Sequence, residues 1–476
     1  MAPTTRSPMN RRQLLARSAV MTAMAIPGAN LLSACAGGSG SGTSNTGGAK
    51  SAANPFGVGA NAPLDVYVFK GGLGDGFAKA FERLYQDRYS GAEISHSSGQ
   101  DVTGDLQPRF NAGSPPDLIF NEGDKKLKLD VLHTNGQLAD LTSLLDAPSI
   151  DNPSKKVRDT LLPGTVEAGR IGDGVFSLNY AMTAYGLWYS PSLFEKNGWT
   201  VPGTWEDFTV LCATIKAAGV APWAHQGKYP FYMIVALMDM VARAGGEDIM
   251  NKIDNLRPNA WGEDAVVQSV ERIHSLVAKG YMLPGTEGLT HTEAQTAWAQ
   301  GKAAFIPCGS WLEQEMKGTA PAGFDMAVMP MPAAPSDKMP ATATRAVAAE
   351  SFAVPAKAAN KAGGMEMLRI MCSKAGGEAF AKSAGALPVV RGAITPEIAA
   401  TMPPGIRSAS ALVNAAGDDV ISWKHPVWYS KLQTELETAM GELMGGRIKP
   451  GEFIERAQRA ADRTLADSSV RKFTRA

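Results

Sequence analysis

The chain has 476 residues, 44% of them hydrophobic and 19% charged, with 46 basic and 46 acidic side chains and no formal net charge. This is a globular composition, and the length exceeds what one ordinary compact core holds, which predicts two lobes. A neutral balance with no basic stripe and no aromatic-basic interleaving argues against a nucleic-acid partner.

The N-terminus reads Asn10-Arg-Arg-Gln-Leu-Leu15, then an apolar run, then Leu32-Ser-Ala-Cys35. Paired arginines, a short apolar stretch and a small-residue cleavage site predict an export signal over residues 1–34, of the twin-arginine (Tat) type. The segment ending at Cys35 is similar to a bacterial lipobox, which implies lipidation of Cys35 and an extracellular, membrane-anchored protein. The blander alternative is a plain signal peptide with Cys35 incidental. A membrane span is disfavoured because the run carries Arg17 and is broken by Pro27, Gly28 and Asn30. Residues 36–53 are nearly all small and polar, so 35–61 reads as a flexible tether.

Beyond the tether, Leu64–Lys70 alternates as a strand and Gly71–Gly76 is a glycine turn. Phe77–Tyr89 has helical spacing, 92–97 reads as a strand, 102–112 as a helix and Asp117–Phe120 as a short buried strand. This β-α-β-α-β series predicts a parallel sheet with helices on both faces. Phe176–Tyr189 reads as a strand. Thr204–Ala218 reads as a helix with Thr204 as its cap and Asp207 completing a capping-box variant. Helices are further expected over 231–244, 262–279 and 292–301, strands over 324–329 and 351–354, and helices over 427–444 and 450–466, split at Gly445-Gly446.

Several catalytic patterns are missing. Gly72-x-Gly74-x-Gly76 follows a strand, but Phe77 breaks the dinucleotide spacing. The six histidines are scattered, with no H-E-x-x-H, and no serine sits in G-x-S-x-G. Beyond Cys35, the cysteines Cys212, Cys308 and Cys372 form no C-x-x-C; one disulfide or three buried thiols are both open. The reading is therefore no cofactor, no metal and no enzyme, although a glycosidase carboxylate pair is never excluded by sequence.

Four segments taken in order carry a family resemblance: Gly186–Trp199 followed by Pro202–Phe208, Gly301–Ile306 leading to Gly309-Ser-Trp311, Pro330-Met-Pro332, and Glu350–Val354. Together they resemble the extracellular solute-binding proteins of carbohydrate ABC importers, of the maltose-binding-protein type, over nearly all of 62–470. Phe69–Gly76, Leu106–Gly113, Lys128–Leu132, Val157–Val166 and Ala224–Tyr229 are similar to the N-acetylglucosamine and chitobiose lipoproteins within that group. The resemblance implies a periplasmic-binding-protein-like α/β fold: two α/β lobes joined by a multi-crossing hinge, with the ligand in the cleft. It places 62–180 plus about 333–388 in the first lobe and 181–332 plus about 389–476 in the second. It also implies a monomer that captures an amino sugar or chitin fragment and hands it to a membrane permease. Another oligosaccharide on the same scaffold, or a secreted glycosidase, stands as the alternative.

A sugar offers hydroxyls and flat C–H faces, so its site needs aromatic planes and a few placed polar groups. The cleft lies at the carboxyl ends of strands, which points to Lys70 and to the loop holding Asn121 and Asp124. The family has an aromatic where Asn121 stands, so stacking from the first lobe is in doubt. The resemblance places Trp311 as a stacking residue, Thr183 and Tyr185 at the first crossing, and one of Trp423 and Trp428 against the sugar. Gln226 and Tyr229 are expected to reach hydroxyls or an acetamido carbonyl. Trp188, Trp199 and Trp205 read as packing residues.

Overall fold

The computed structural model describes residues 47–71, 73–123 and 125–475. Cys35, the export signal and Asp124 lie outside the described residues. Among the described residues eleven strands occur: β1 Leu64–Phe69, β2 Ile94–Gly99, β3 Leu118–Phe120, β4 Arg170–Ile171, β5 Gly174–Val175, β6 Leu178–Tyr189, β7 Ala221–Trp223, β8 Ala303–Gly309, β9 Ala327–Met329, β10 Thr344–Ala353 and β11 Val420–Ile421.

The first half follows the expected β-α-β-α-β course. β2, β1 and β3 are parallel neighbours, connected through helices Gly76–Arg88 and Val102–Ala112. The parallel run then ends: β10 pairs antiparallel with both β3 and β6. β6 continues beyond that pairing to meet β8 and β9, and β8 pairs parallel with β7. One long strand thus serves two sheet regions. Tyr180 and Phe352 sit in a cluster of rings with Phe77, Phe81, Phe120 and Phe380. Five residues further along β6, Tyr185 belongs to a second apolar cluster with Phe208, Trp223, Met240 and Phe305.

Local signals explain most helix ends. The Thr204 hydroxyl accepts from the Asp207 N–H, and Thr290 with Glu293 forms a full capping box ahead of helix His291–Ala299. The helix expected to stop at Ala244 instead runs as Phe231–Asp254. Gly246, at φ +68°, bends it, and helical backbone resumes beyond the bend. The strand expected over 351–354 begins earlier, at Thr344, where β6 supplies a partner. The one expected over 324–329 shortens to β9. Trp188, Trp199 and Trp205 are buried, as read from the sequence. The three described cysteines are buried free thiols.

The small-residue composition of 35–61 suggested a tether throughout, yet its end is docked on the body. Gly48 donates to the Gly57 carbonyl at 2.7 Å, and the Asn54 amide ties Val58 through bonds of 2.8 and 2.9 Å. Arg369, 2% exposed, donates to the Ala53 carbonyl at 2.8 Å while pairing with Glu366 at 2.7 Å. A buried guanidinium must fill its donors, and this segment supplies one acceptor.

Candidate functional site

A cavity of about 860 Å³ opens where β1, β3, β6 and β10 approach the segment that follows β8. That size falls within the roughly 300–1,000 Å³ of small-molecule sites. One wall carries Phe69, Leu73, Phe120, Glu122, Lys126 and Glu350; the other carries Tyr232, His291, Ser310, Trp311, Gln314 and Glu315; Thr183 of β6 lies between them.

Each wall holds a ring in place with glycine. A Cβ on Gly309 would stand 2.1 Å from the Trp311 indole, so the ring lies against bare backbone at the end of β8. The edge of Tyr185 meets it at 5.4 Å and that of Tyr232 at 6.3 Å. These are edge-to-face contacts of the kind that fix an aromatic platform. Opposite, Phe69 is flanked by Gly71 and Gly123, where a Cβ would come within 2.2 and 2.4 Å of its ring. Gly123 also needs φ +86°. The cavity therefore has an aromatic on both walls, correcting the expectation that the first-lobe aromatic is missing.

The polar groups are arranged in two sets. Glu122 accepts from the Ser351 N–H at 2.9 Å and pairs with Lys126 at 2.9 Å. Across the cavity, Glu315 accepts from Gln295 at 2.9 Å and stands 4.0 Å from His291. Glu350, half-buried, accepts no side-chain hydrogen bond among the described residues. Burial, then the neighbouring Glu122 charge, pushes its carboxyl up to about 7 against the partial relief of Lys126.

Of the residues expected from sequence, the cavity gathers Thr183 and Trp311. The other described ones have different surroundings. Lys70, just past the end of β1, is not in the lining and pairs with Asp75 at 3.3 Å. Asn121, 1% exposed, closes its own loop by bonds of 3.0 and 2.9 Å to the Leu127 backbone, leaving Glu122 and Lys126 to reach the cavity. Tyr185 sits behind Trp311 and is buried, which raises its phenol to about 12, with Arg345 opposing. Gln226 is fully buried and donates to the Pro307 carbonyl at 2.8 Å. Tyr229 is exposed and packs its edge on His291 at 5.3 Å, one layer outside the cavity.

Neither Trp423 nor Trp428 faces the cavity. Trp423, 4% exposed, covers the buried Arg345 guanidinium at 3.6 Å, a cation–π pairing that the Tyr185 ring joins at 5.5 Å. Trp428 stacks on Phe473 at 5.3 Å, holding the C-terminal segment. Phe69, Glu122, Lys126, Tyr232, His291, Gln314, Glu315 and Glu350 were not singled out from sequence. A signal for Glu350 existed, since it is the one charge in the apolar run 346–354.

Aromatic platforms on two walls with mixed carboxylate, amide and cationic groups between them suit reversible capture of a polar, flat-faced molecule. Comparison with known proteins agrees. The diacetylchitobiose binding protein NgcE of Streptomyces coelicolor is 31% identical over 427 residues, covering 89% of this chain and 90% of that protein. A multiple sugar-binding protein of Streptococcus mutans is 24% identical over 156 residues, 32% of this chain and 37% of that one. Apo RafE from Streptococcus pneumoniae shares the fold with TM-score 0.65 at 18% identity, over 84% of this chain and 97% of that one. A chitin oligosaccharide binding protein does so with TM-score 0.57 at 20% identity, over 81% and 94%. The sequence profile of the bacterial extracellular solute-binding proteins matches residues 70–378, and the chain belongs to that family.

Proposed function

We propose that this solute-binding protein is the sugar-capturing component of an ABC importer, taking N-acetylglucosamine, chitobiose or a short chito-oligosaccharide and delivering it to a membrane permease by hinge closure. The observation that carries the reading is one cavity lined by the aromatics Phe69 and Trp311 together with the polar side chains of Glu122, Lys126, Thr183, Gln314 and Glu315. The relative named for diacetylchitobiose binding, similar over nine-tenths of both chains, supports the acetylated sugars. The lining between the walls comes from β6, with Ala181, Met182 and Thr183, which supports a hinge in that strand and the lobe boundaries given above. Calorimetric titration of the purified chain with N-acetylglucosamine, chitobiose, glucose and maltose tests it. Binding confined to the acetylated sugars is expected; binding of glucose or maltose alone would discard the chitin assignment.

In the same reading the chain is exported through the Tat route, held to the outer face of the membrane by lipid on Cys35, and works as a monomer. The Arg11-Arg12 pair and the Leu-Ser-Ala-Cys35 segment support this. Cys35→Ala is expected to release the protein from the membrane fraction of expressing cells, and continued partition with membranes would refute the anchor.

A further inference from the structure

Glu350 lies inside β10, yet its φ is +65°. The register with β6 is unbroken on either side, Ala349 opposite Ala181 and Ser351 opposite Asn179. A side chain at left-handed φ inside a strand is strained, and glycine would relieve it. The turned backbone has visible consequences. Ser351 donates its N–H to the Glu122 carboxylate at 2.9 Å, and its carbonyl accepts from Asn121 at 2.8 Å. The Glu350 carboxyl itself borders the cavity without a hydrogen-bond donor among the described residues. Lys126, the nearest cation, is already paired with Glu122 at 2.9 Å. Strain maintained at a cavity wall around an unpartnered acceptor is the pattern of a group whose donor arrives with the ligand.

We propose that Glu350 determines specificity in this cleft: its ionised carboxylate accepts hydrogen bonds from the hydroxyl edge of the sugar stacked between Phe69 and Trp311. The assignment rests on the sugar-binding reading above and deepens it. Glucose-type rings present adjacent equatorial hydroxyls, which one carboxylate bridges with its two oxygens.

The acceptor must be ionised, so binding is linked to a proton. Among the described residues, the charged groups around Glu350 are Glu122 and Lys126 on the loop after β3, and His291 and Glu315 across the cavity. β6 and Phe120 offer only neutral groups there. With the free carboxyl near 7, a sugar that requires the ionised form binds about tenfold more weakly at pH 6 than at pH 8, and its binding releases a proton.

The test is calorimetric titration of the purified chain with chitobiose at pH 6, 7 and 8, in two buffers of different ionisation enthalpy. The wild type is expected to lose about tenfold in affinity from pH 8 to pH 6. Glu350→Gln is expected to bind about tenfold or more weakly at pH 8 and to show no pH dependence. Glu350→Gly, which suits the left-handed backbone, is expected to melt no lower than wild type while binding as weakly as the glutamine variant. A glutamine variant with wild-type affinity overturns the assignment. So does a pH dependence that survives the substitution, and so does a flat wild-type profile. Trp311→Ala separates the two levels: lost binding there with Glu350→Gln unaffected removes Glu350 and leaves the cleft standing. Wild-type silence towards every acetylated sugar overturns both.

Discussion

Trp311→Ala is the substitution that most directly questions the cleft. The indole rests on Gly309 and borders the cavity, so a stacked sugar covers one ring face. That is roughly 100 Å² of apolar surface, worth about 2.5 kcal/mol at about 25 cal/mol per Å². The loss in affinity is then roughly 70-fold. The stability term is smaller. The indole is only partly buried, and its ring contacts are the edges of Tyr185 and Tyr232 at 5.4 and 6.3 Å, each worth about 1 kcal/mol. About 2 kcal/mol in a chain this long lowers the melting temperature by only a few degrees. Trp298, fully buried with its indole N–H on the Ala304 carbonyl, makes the control. Its replacement by alanine should cost about 3–5 kcal/mol. The assay pairs chitobiose titration with thermal melting for both variants. If Trp311→Ala melts as low as Trp298→Ala and still binds at wild-type affinity, Trp311 is a packing residue and the platform argument fails.

Trp423→Ala should do the reverse, costing about 3–5 kcal/mol of stability because the ring covers buried Arg345, with little direct change in sugar affinity; lost binding in a fully folded variant would return Trp423 to the site. Asp254 is fully buried, which raises its pKa, but bonds from His425, Arg475 and the Lys424 N–H outweigh that and hold it below the ordinary value. A depressed carboxylate stabilises above its unfolded pKa of about 3.9 and loses that contribution as pH falls through its folded value. Asp254→Asn should therefore lower the melting temperature at pH 7, by an amount that shrinks below about pH 4; a gap constant from pH 7 to pH 3 would contradict the linkage.

Periodicity and capping made most elements legible. Thr204 with Asp207 marked a helix start, and the alternation of 64–70 marked β1, because those signals are local. The glycine before Ser310-Trp311 carried the platform for the same reason. What sequence hid depends on residues far apart in the chain. Phe69 reads as an inward strand residue until Gly123 is seen making room for its ring. Trp423 and Trp428 read as ligand platforms until Arg345 and Phe473 are seen beneath them. Asn121 and Gln226 looked available because side-chain amides are polar; backbone partners at Leu127 and Pro307 consume them. Burial by a distant partner leaves no periodic trace.

The placement of the two aromatics bears on how binding becomes transport. β6 supplies Met182 and Ala184 to one apolar cluster, which extends to Trp298, Ile306 and Leu312, and Tyr185 and Leu187 to a second; Trp311 packs against both. Thr183, between Met182 and Ala184, lies in the cavity. Bending of β6 and β10 near this point would move one wall against the other. A ligand biases such a motion only by the contacts that closure adds. Moving a population from 1:99 to 99:1 takes about 5.5 kcal/mol of differential affinity. One ring face supplies about 2.5 kcal/mol, and a hydrogen bond to a charged carboxylate about 1.5–3 kcal/mol. Neither wall alone reaches the requirement. A sugar stacked on Trp311 and held by Glu350 approaches it, so the element that recognises the ligand's hydroxyls and the element that grips its face must lie on opposite sides of the cavity for capture to report itself as a change of shape.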